Sequence, residues 1–236
     1  MKTVMFDLDG TLLPMDQDVF VNGYFSFLAA KMAPHGYEPK KLVKAIWGGT
    51  AAMVENDGSC ANEEAFWRFF TGVYGERARD DIPLFEDFYA NDFQRARQFC
   101  GFDARAARAV ALVRERGARP VLATNPLFPA LAQYSRIRWA GLEPEDFALI
   151  TTYENIGCCK PNPADYEEIL RRLGAVPEEC LMVGNDTGED MVAGTLGVKT
   201  FLLTDCLINK TGADVTAWPH GGFDELLAWL DRELDA

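Results

Sequence analysis

The sequence predicts an α/β protein with a Rossmann-like parallel sheet and a helical segment inserted after the first strand. Short, continuous apolar runs, which are typical of strands buried on both faces, recur along the chain. In the second half these runs alternate with helical patterns, which favours parallel strands joined by right-handed crossovers. Between the first run and the second, about ninety residues carry many aromatic side chains and helical spacing but no convincing strand.

Five runs predict the strands: residues 3–6, 120–123, 147–151, 180–183 and 199–203. Helix signals lie between the later runs. Asp103 can cap a helix that stops at Gly117. Asn162 and Pro163 provide a cap and a first helical residue, and Gly174 ends that helix.

The aromatic segment predicts a helical unit of its own. One apolar helix face contains Phe20, Tyr24, Phe25, Phe27 and Leu28, and another contains Phe66, Trp67, Phe69 and Phe70. Such helices bury their apolar faces on one another, so residues 15–99 are predicted as a cap, and residues 1–14 with 100–236 as the sheet domain. An insertion after a strand's carboxyl end lies above the ligand-binding edge of the sheet, where it acts as a lid.

Composition restricts the classes of function. The net charge of -13 and a pI near 4.6 argue against a nucleic-acid partner, which needs clustered Lys and Arg. The six cysteines lack the spacing of a zinc site and are expected to be free, reduced thiols. The acidic start and the lack of a long apolar run argue against a secretory signal and a membrane partner, so a cytoplasmic protein is expected.

The first predicted strand leads directly into two carboxylates, Asp7 and Asp9, followed by Gly10. In an extended chain these two side chains point the same way, whereas Leu8 points oppositely into the core. Carboxylates this close repel each other, so both stay ionised only near a cation; otherwise the pKa of one rises. The pair is typical of a metal site or of a nucleophile beside a general acid, although a simple Asp-Gly turn explains the same residues.

Polar residues also follow the other predicted strands: Thr124 and Asn125, then Lys160, then Asp186 and Asp190. The last two acids are four residues apart, which places them on one face if a helix starts there. Because the carboxyl ends of parallel strands share one edge, we expect all these groups to converge on the first acidic pair. Four acids, one lysine and one hydroxyl at one edge indicate a phosphate or metal site.

In this order and spacing the residues resemble the four motifs of the haloacid dehalogenase superfamily, in its phosphoglycolate phosphatase-like branch. Residues 7–11 match the first motif, Thr124 the second, Lys160 the third, and Asp186 with Asp190 the fourth. The fold implied is the parallel α/β core of that superfamily, and the activity implied is a phosphatase that acts on a small phosphorylated metabolite.

The resemblance covers residues 1–14 and about 100–205, whereas residues 15–99 are similar to the family's C1 cap only in position and helical character. Asn185 is a departure, because the family often has Gly-Asp directly before the fourth acidic pair. The spacing of the acids is intact, and of the two we favour Asp186 as the direct metal ligand.

The resemblance implies a division of roles among the acids. Asp7 is the nucleophile that forms an aspartyl-phosphate, and Asp9 is the general acid and then the general base. Mg²⁺ is implied as the cofactor, held by the Asp7 carboxylate, the Asp9 backbone carbonyl and Asp186, since hard oxygen ligands suit this ion.

The resemblance also implies which residues bind the phosphoryl group. Lys160, Thr124 and backbone N–H groups near Asn125 match the charge on its oxygens. Asp190 orients Lys160 or a metal-bound water.

Several alternatives remain at the level of sequence. A dehalogenase is expected to lack Asp9, and a signalling receiver domain is about half this length. A C–P bond hydrolase would use a cap lysine, for which the candidates are Lys31, Lys40, Lys41 and Lys44. A sugar-phosphate mutase keeps every core motif, and a catalytically silent binding protein on this fold is also possible.

The cap residues that contact the substrate are predicted less sharply. Candidates near the substrate are Phe20, Tyr24 and residues 47–50. Of these, the run Trp47-Gly48-Gly49 is expected to form a cap loop facing the core, because glycines allow close approach of backbone to ligand. Phe20 and Tyr24 are expected to pack between cap helices more than to contact substrate. Phosphoglycolate, nucleoside monophosphates and sugar phosphates all remain open, and the sequence gives no indication of oligomeric state.

Overall fold

The computed structural model describes residues 1–235 and is built on a five-stranded sheet in the order β2-β1-β3-β4-β5. The strands are β1 Thr3–Phe6, β2 Arg119–Leu122, β3 Cys180–Gly184, β4 Lys199–Leu203 and β5 His220–Gly221. Every neighbouring pair is parallel. Their apolar side chains are buried, as continuous apolar runs predict. The predicted α/β class with a parallel sheet is confirmed.

Residues 147–151 do not form the regular strand that the sequence predicted. They run beside β2 and make backbone hydrogen bonds to it, but only Ile150 forms a bridge, to Leu122. Pro120 and Leu122 face the same edge of β2. Because Pro120 has no N–H to donate, the hydrogen-bond ladder between β2 and residues 147–151 cannot extend past it. The fifth strand of the sheet is instead the short β5 near the carboxyl end.

Eight α-helices lie within residues 1–235. They are α1 Gln17–Met32, α2 Pro39–Val54, α3 Asn62–Tyr74, α4 Ile82–Ala90, α5 Ala104–Glu115, α6 Ala130–Trp139, α7 Pro163–Leu173 and α8 Phe223–Asp235. The predicted caps are confirmed: the side chains of Asp103 and Asn162 accept backbone N–H groups of α5 and α7, and Gly174 ends α7 with a left-handed backbone. Among residues 1–235, none of the helices is both long and apolar enough to cross a membrane.

Helices α1–α4 all lie between β1 and β2, in the segment 15–99 that we call the helical insertion. Its core is aromatic: Phe20, Tyr24 and Phe93 pack ring against ring and also against Phe128, which precedes α6. One continuous apolar cluster therefore runs from the helical insertion into the helices beside the sheet. The division into domains at residues 14 and 99 stays a prediction.

Residues 47–50 lie inside α2 and not in a loop, which corrects the prediction. A Cβ atom on Gly48 would lie 2.2 Å from the ring of Phe69, and one on Gly49 would lie 2.5 Å from Phe66. The two glycines therefore allow α2 and α3 to pack closely. Their closest neighbours belong to another helix, so close approach to a ligand does not explain them.

The chain enters and leaves the helical insertion through two linkers that lie side by side. Met15 and Cys100 form an antiparallel bridge, and the N–H of Gly101 donates to the carbonyl of Pro14 at 2.7 Å. A Cβ on Gly101 would lie 3.1 Å from Pro14, so a glycine permits the close approach. The helical insertion is thus joined to the sheet by a paired connection.

A second junction connects the helical insertion to the loops after the strands. The side-chain amide of Asn62, fully buried at the start of α3, donates to the carbonyls of Pro126 and Cys158 at 3.2 and 3.3 Å. Nearby, a Cβ on Gly157 would lie 2.3 Å from the carbonyl oxygen of Cys60. These contacts hold the helical insertion over the carboxyl edge of the sheet.

Candidate active site

The acidic pair predicted from the sequence lies directly after β1. The backbone N–H of Asp7 continues the ladder to Val183 at 2.9 Å, and the Leu8 side chain is fully buried in the core. Gly10 has φ +83°, and a Cβ there would lie 2.3 Å from Asn185. A glycine is therefore required at this turn, which allows the segment after β1 to pack closely on the loop after β3.

A cavity of about 360 Å³ lies between the strand ends and the helical insertion. Asp7 and Asp9 lie at one end of it, which we call the catalytic end, and aromatic side chains of the helical insertion line the rest. Further predicted site residues line the same cavity, namely Thr124, Asn125, Asp186 and Asp190. Convergence of the strand ends thus brings these residues together.

The strand-end residues that line the catalytic end form what we call the floor of the cavity. Lys160 lies beneath this floor and is buried. Its Nζ donates to Asp190 Oδ1 at 2.7 Å and to Asp7 Oδ1 at 3.1 Å. Burial lowers the pKa of Lys160, but the charges of Asp190 and Asp7 more than offset this and raise the pKa well above its usual value. Burial raises the pKa of Asp190 despite the attraction of the lysine. A permanent positive charge therefore lies beside the Asp7 carboxylate.

The second acidic pair spans a turn that leads directly into a 3₁₀ helix, Met191–Leu196, and the N–H of Asp190 donates to the carbonyl of Asp186 at 3.1 Å. Asp186 Oδ1 accepts the N–H groups of Gly188 and Glu189 at 2.7 and 3.0 Å. Asp190 Oδ2 in turn accepts the N–H of Asp186 at 2.9 Å. The turn fixes the Asp186 carboxylate at the cavity wall, while the Asp190 carboxylate is buried against Lys160.

Sequence reasoning missed Arg136, a fully buried residue of α6. Its guanidinium forms an ion pair with Asp9, donates to Gln133 and lies over the ring of Phe128 at 4.2 Å from the centroid. The one signal in the sequence is an arginine between apolar residues at helical spacing on α6, and that pattern does not identify its partner.

The environment of Asp9 differs from that of an exposed acid. Burial raises its pKa, Arg136 opposes this rise, and the charge of Asp7 adds to it. Asp9 Oδ1 has no hydrogen-bond partner, although it is buried. Asp9 thus has one bonded oxygen and one unpaired oxygen beside the cavity, and a raised pKa suits a group that must both give and take a proton.

Three more polar residues complete the floor. Thr11 Oγ1 donates to Asn185 Oδ1 at 2.9 Å and to Asp7 Oδ2 at 3.2 Å. Asn125 donates to Glu189 Oε2 at 3.0 Å. Sequence analysis placed Thr11 in the first motif and noted Asn185 as a departure but predicted these hydrogen bonds for neither, nor for Glu189, because hydrogen bonds between distant segments leave no local pattern.

The donor set fits a hard divalent cation. Among residues 1–235, two cations lie near this floor, Lys160 and Arg136. The carboxylates that line the cavity at this floor are more numerous: Asp7, Asp9, Asp186, Glu189 and Asp190. Within residues 1–235 no three His, Cys, Asp or Glu side chains gather closely enough to hold a metal by themselves. A bound ion would therefore complete its shell with backbone carbonyl, water or phosphate oxygens, as Mg²⁺ usually does. A phosphate dianion would otherwise meet an excess of negative charge.

Comparison with known proteins agrees with this fold. The model of the haloacid dehalogenase-like hydrolases matches residues 1–195, so the chain belongs to that family. The family and the enzyme class predicted from the sequence, a hydrolase on the phosphatase side, are confirmed.

Two relatives by sequence are phosphatases. A phosphoglycolate phosphatase of Aquifex aeolicus is 24% identical over 204 residues, 86% of this chain and 84% of that protein. A glyceraldehyde 3-phosphate phosphatase of Methanothermobacter thermautotrophicus is 37% identical over 78 residues, which cover 30% of this chain and 34% of that protein. The second match therefore concerns about a third of each chain.

A similar solved structure supports the fold alone. The crystal structure of a HAD phosphatase from Thermococcus onnurineus superposes with a TM-score of 0.58 at 20% identity, and the match covers 98% of both chains. The helical insertion is included in a match of that extent.

Proposed function

We propose that the protein is a Mg²⁺-dependent phosphatase that removes phosphate from a small phosphorylated metabolite through an aspartyl-phosphate on Asp7. The observation that carries the proposal is the contact between Asp7 and the buried cation Lys160 at the end of an enclosed cavity, with Asp9 beside it. This arrangement places a positive charge against the Asp7 carboxylate and a second acid within the same cavity.

In the first step an oxygen of Asp7 attacks phosphorus while the bond to the alcohol oxygen of the substrate breaks. Asp9 gives its proton to that oxygen, so the alcohol leaves neutral. In the second step Asp9 takes a proton from water, which attacks phosphorus and releases phosphate from Asp7. The raised pKa of Asp9 supports its protonated form before the first step.

Lys160, Thr124 and backbone N–H groups near Asn125 would bind the phosphoryl oxygens, whose charge grows during the transfer. Asp190 holds Lys160 in place through the hydrogen bond of 2.7 Å. The three phosphate-binding residues come from two different loops beside the same cavity, which supports their common role.

The Asp7 carboxylate, the Asp9 backbone carbonyl and Asp186 would hold Mg²⁺. The ion would supply positive charge to the phosphoryl oxygens. Asp186 suits this role better than Asp190, because the Asp190 carboxylate is already occupied by Lys160 and by the N–H of Asp186.

Residues 15–99 would act as the cap that encloses the substrate and excludes water, with residues 1–14 and 100–236 as the catalytic domain. A cavity of about 360 Å³ suits a small metabolite. We place the enzyme in the cytoplasm, where its six free cysteines stay reduced.

The test is release of inorganic phosphate from p-nitrophenyl phosphate and from a panel of phosphorylated metabolites, with Mg²⁺ and with EDTA. Asp7→Asn is expected to lower kcat at least about a thousandfold, the scale of losing a nucleophile. Asp18→Asn, at an exposed acid of α1 outside the cavity, is the matched control and retains activity. Retained activity in Asp7→Asn would remove it as nucleophile.

A sugar-phosphate mutase is the second candidate, since it would use the same floor. It differs in product, because it returns the phosphoryl group to the sugar instead of to water. Chromatography of hexose phosphates after incubation distinguishes the two: an isomer without free phosphate would support the mutase.

A further inference from the structure

The part of the cavity lined by the helical insertion and by residues 153–154, which we call the distal part, is walled by aromatic rings. Tyr24 and Trp47 come from α1 and α2, Trp67 from α3, Tyr89 from α4, and Tyr153 from the loop before Lys160. Such walls bind apolar groups and also cations, which lie favourably over the faces of aromatic rings.

Three glutamates line the same part of the cavity: Glu63, Glu86 and Glu154. Within the described chain none of them forms an ion pair, and the Glu154 carboxylate accepts only the backbone N–H of Ala130, at 2.9 Å. Burial raises the pKa of Glu63, and the charges of Glu154, Glu64 and Glu86 raise it further. The charge of Arg79, which pairs with Glu64, opposes this rise in pKa. Glu86 and Glu154 are exposed, and the negative charge near Glu63 is therefore only partly offset by a cation.

No lysine or arginine among residues 1–235 lines the cavity. The two cations near its catalytic end are already engaged, Lys160 by Asp7 and Asp190, and Arg136 by Asp9. A second anionic group on the substrate, such as a carboxylate or another phosphate, would meet glutamates without a compensating cation.

Trp67 provides an independent indication that a polar ligand belongs here. Its side chain lines the cavity and is 3% exposed, and its indole N–H lies near the Tyr153 hydroxyl but forms no hydrogen bond of good geometry to the protein. A buried donor without a partner is costly, and a hydroxyl or ester oxygen of a ligand would satisfy it.

We infer that the substrate is a phosphate monoester whose alcohol part carries a protonated amino group and no carboxylate. The inference rests on the proposed phosphatase function and adds the substrate class. The phosphate occupies the catalytic end beside Lys160, and the ammonium group lies among the aromatic rings within reach of the glutamates. The charge of the distal part thus selects against phosphoglycolate.

A matched series of three esters tests this inference. Their alcohol parts share a two-carbon chain and end in an ammonium, a methyl or a carboxylate: 2-aminoethyl, propyl and 2-carboxyethyl phosphate. With Mg²⁺ at neutral pH, kcat/KM is expected to fall in that order, by about tenfold or more per step, as about 1.4 kcal/mol per step gives. Equal values for the three, or the highest value for 2-carboxyethyl phosphate, would overturn the inference.

Glutamate variants show whether the glutamates cause the preference. Glu63→Gln and Glu86→Gln are expected to lower the ratio of kcat/KM for 2-aminoethyl over 2-carboxyethyl phosphate several-fold each. Glu76→Gln, at an exposed acid of the same insertion outside the cavity, keeps the wild-type ratio. An unchanged ratio in both cavity variants would overturn the assignment.

A binding measurement distinguishes failure of this inference from failure of the proposed function. Calorimetry of the three esters with Asp7→Asn protein and Mg²⁺ measures affinity without turnover. If no ester is hydrolysed by the wild type, the phosphatase proposal fails, whereas the order of the three affinities still decides the inference. Tightest binding of the carboxylate ester would contradict it even in an active phosphatase.

Discussion

At the scale of single residues, the pair of Arg136 and Asp9 couples α6 to the catalytic end of the cavity. The guanidinium holds one oxygen of the carboxylate and leaves the other free. It also opposes the rise in pKa that burial causes in Asp9. We therefore assign Arg136 as a positioning residue, which would set the orientation and the acidity of Asp9, the proposed proton donor.

We predict that Arg136→Gln shifts the pH profile of kcat to higher pH, because loss of the cation raises the pKa of Asp9 further. The kcat value is expected to fall about 10- to 100-fold, with a smaller change in KM. Steady-state kinetics across about pH 5 to 9 measures both. Arg138→Gln, at an exposed residue of the same helix, is the control. A lower kcat with an unchanged pH profile would mean that Arg136 contributes only to packing.

The residues that could be predicted are those in short local patterns. Asp7 and Asp9 follow an apolar strand, and Lys160 and Asp186 follow other apolar runs, so each carries its signal within a few neighbours. The local pattern around Arg136 does not indicate its role, because its partner Asp9 lies more than a hundred residues away along the chain. Pairings of this kind depend on the packed fold.

At the scale of elements, α7 contains a buried acid that the proposed chemistry does not use. Asp165 lies in its first turn, is fully buried, and has no hydrogen-bond partner on either carboxylate oxygen. Burial raises its pKa to about 7, although Lys160 opposes the rise. The folded chain therefore binds a proton here that the unfolded chain has released by about pH 4 to 5.

Because the folded pKa of Asp165 is raised, its contribution to stability is lost as the pH rises from about 4 to 7. We predict that Asp165→Asn raises the free energy of unfolding at pH 8, by on the order of 2 kcal/mol, and changes it little near pH 4. Urea unfolding at the two pH values measures this. Glu167→Gln, exposed on the same helix, should change stability by less than about 0.5 kcal/mol at both. A less stable Asp165→Asn protein at pH 8 would contradict the prediction.

Helices and strands were predicted correctly where a capping residue or a buried apolar run marks them in the sequence. They were predicted wrongly where their structure depends on contact with another helix or strand. The starts of α5 and α7 follow from Asp103 and Asn162, whose side chains satisfy free N–H groups within the same segment. The glycines of α2 suggested a loop, because nothing local shows that α3 lies against them. The segment 147–151 has the composition of a strand, but its ladder is limited by a proline in the neighbouring strand.

At the scale of the whole molecule, the cavity exists only while the helical insertion rests on the strand-end loops. The Asn62 amide spans that contact and is buried there among carbonyl groups. Its removal would leave those carbonyls without a donor, and it would favour separation of the two parts. The Asn62 side chain thus contributes both to the stability of the fold and to the closure of the cavity.

We predict that Asn62→Ala lowers the free energy of unfolding by about 1–3 kcal/mol and raises KM more than it lowers kcat. The physical reason is that closure over the substrate becomes less favourable, whereas the catalytic end itself is untouched. Chemical denaturation and steady-state kinetics are the measurements. Asn22→Ala, exposed on α1, is the control. A loss of stability without a rise in KM would mean that this contact plays no part in closure.

The paired linkers have a consequence for how such an enzyme can change. The chain departs from the sheet domain at Pro14 and returns at Gly101, and a hydrogen bond joins these two points. A segment whose ends meet can be exchanged for another without altering the order of the strands. The proposed chemistry and the proposed selectivity therefore depend on different parts of the chain. Every proposed catalytic group lies outside the exchangeable segment, and two of the three glutamates that we propose to select the substrate lie within it. We therefore expect that a different insertion grafted between Pro14 and Gly101 changes the substrate and leaves the reaction unchanged.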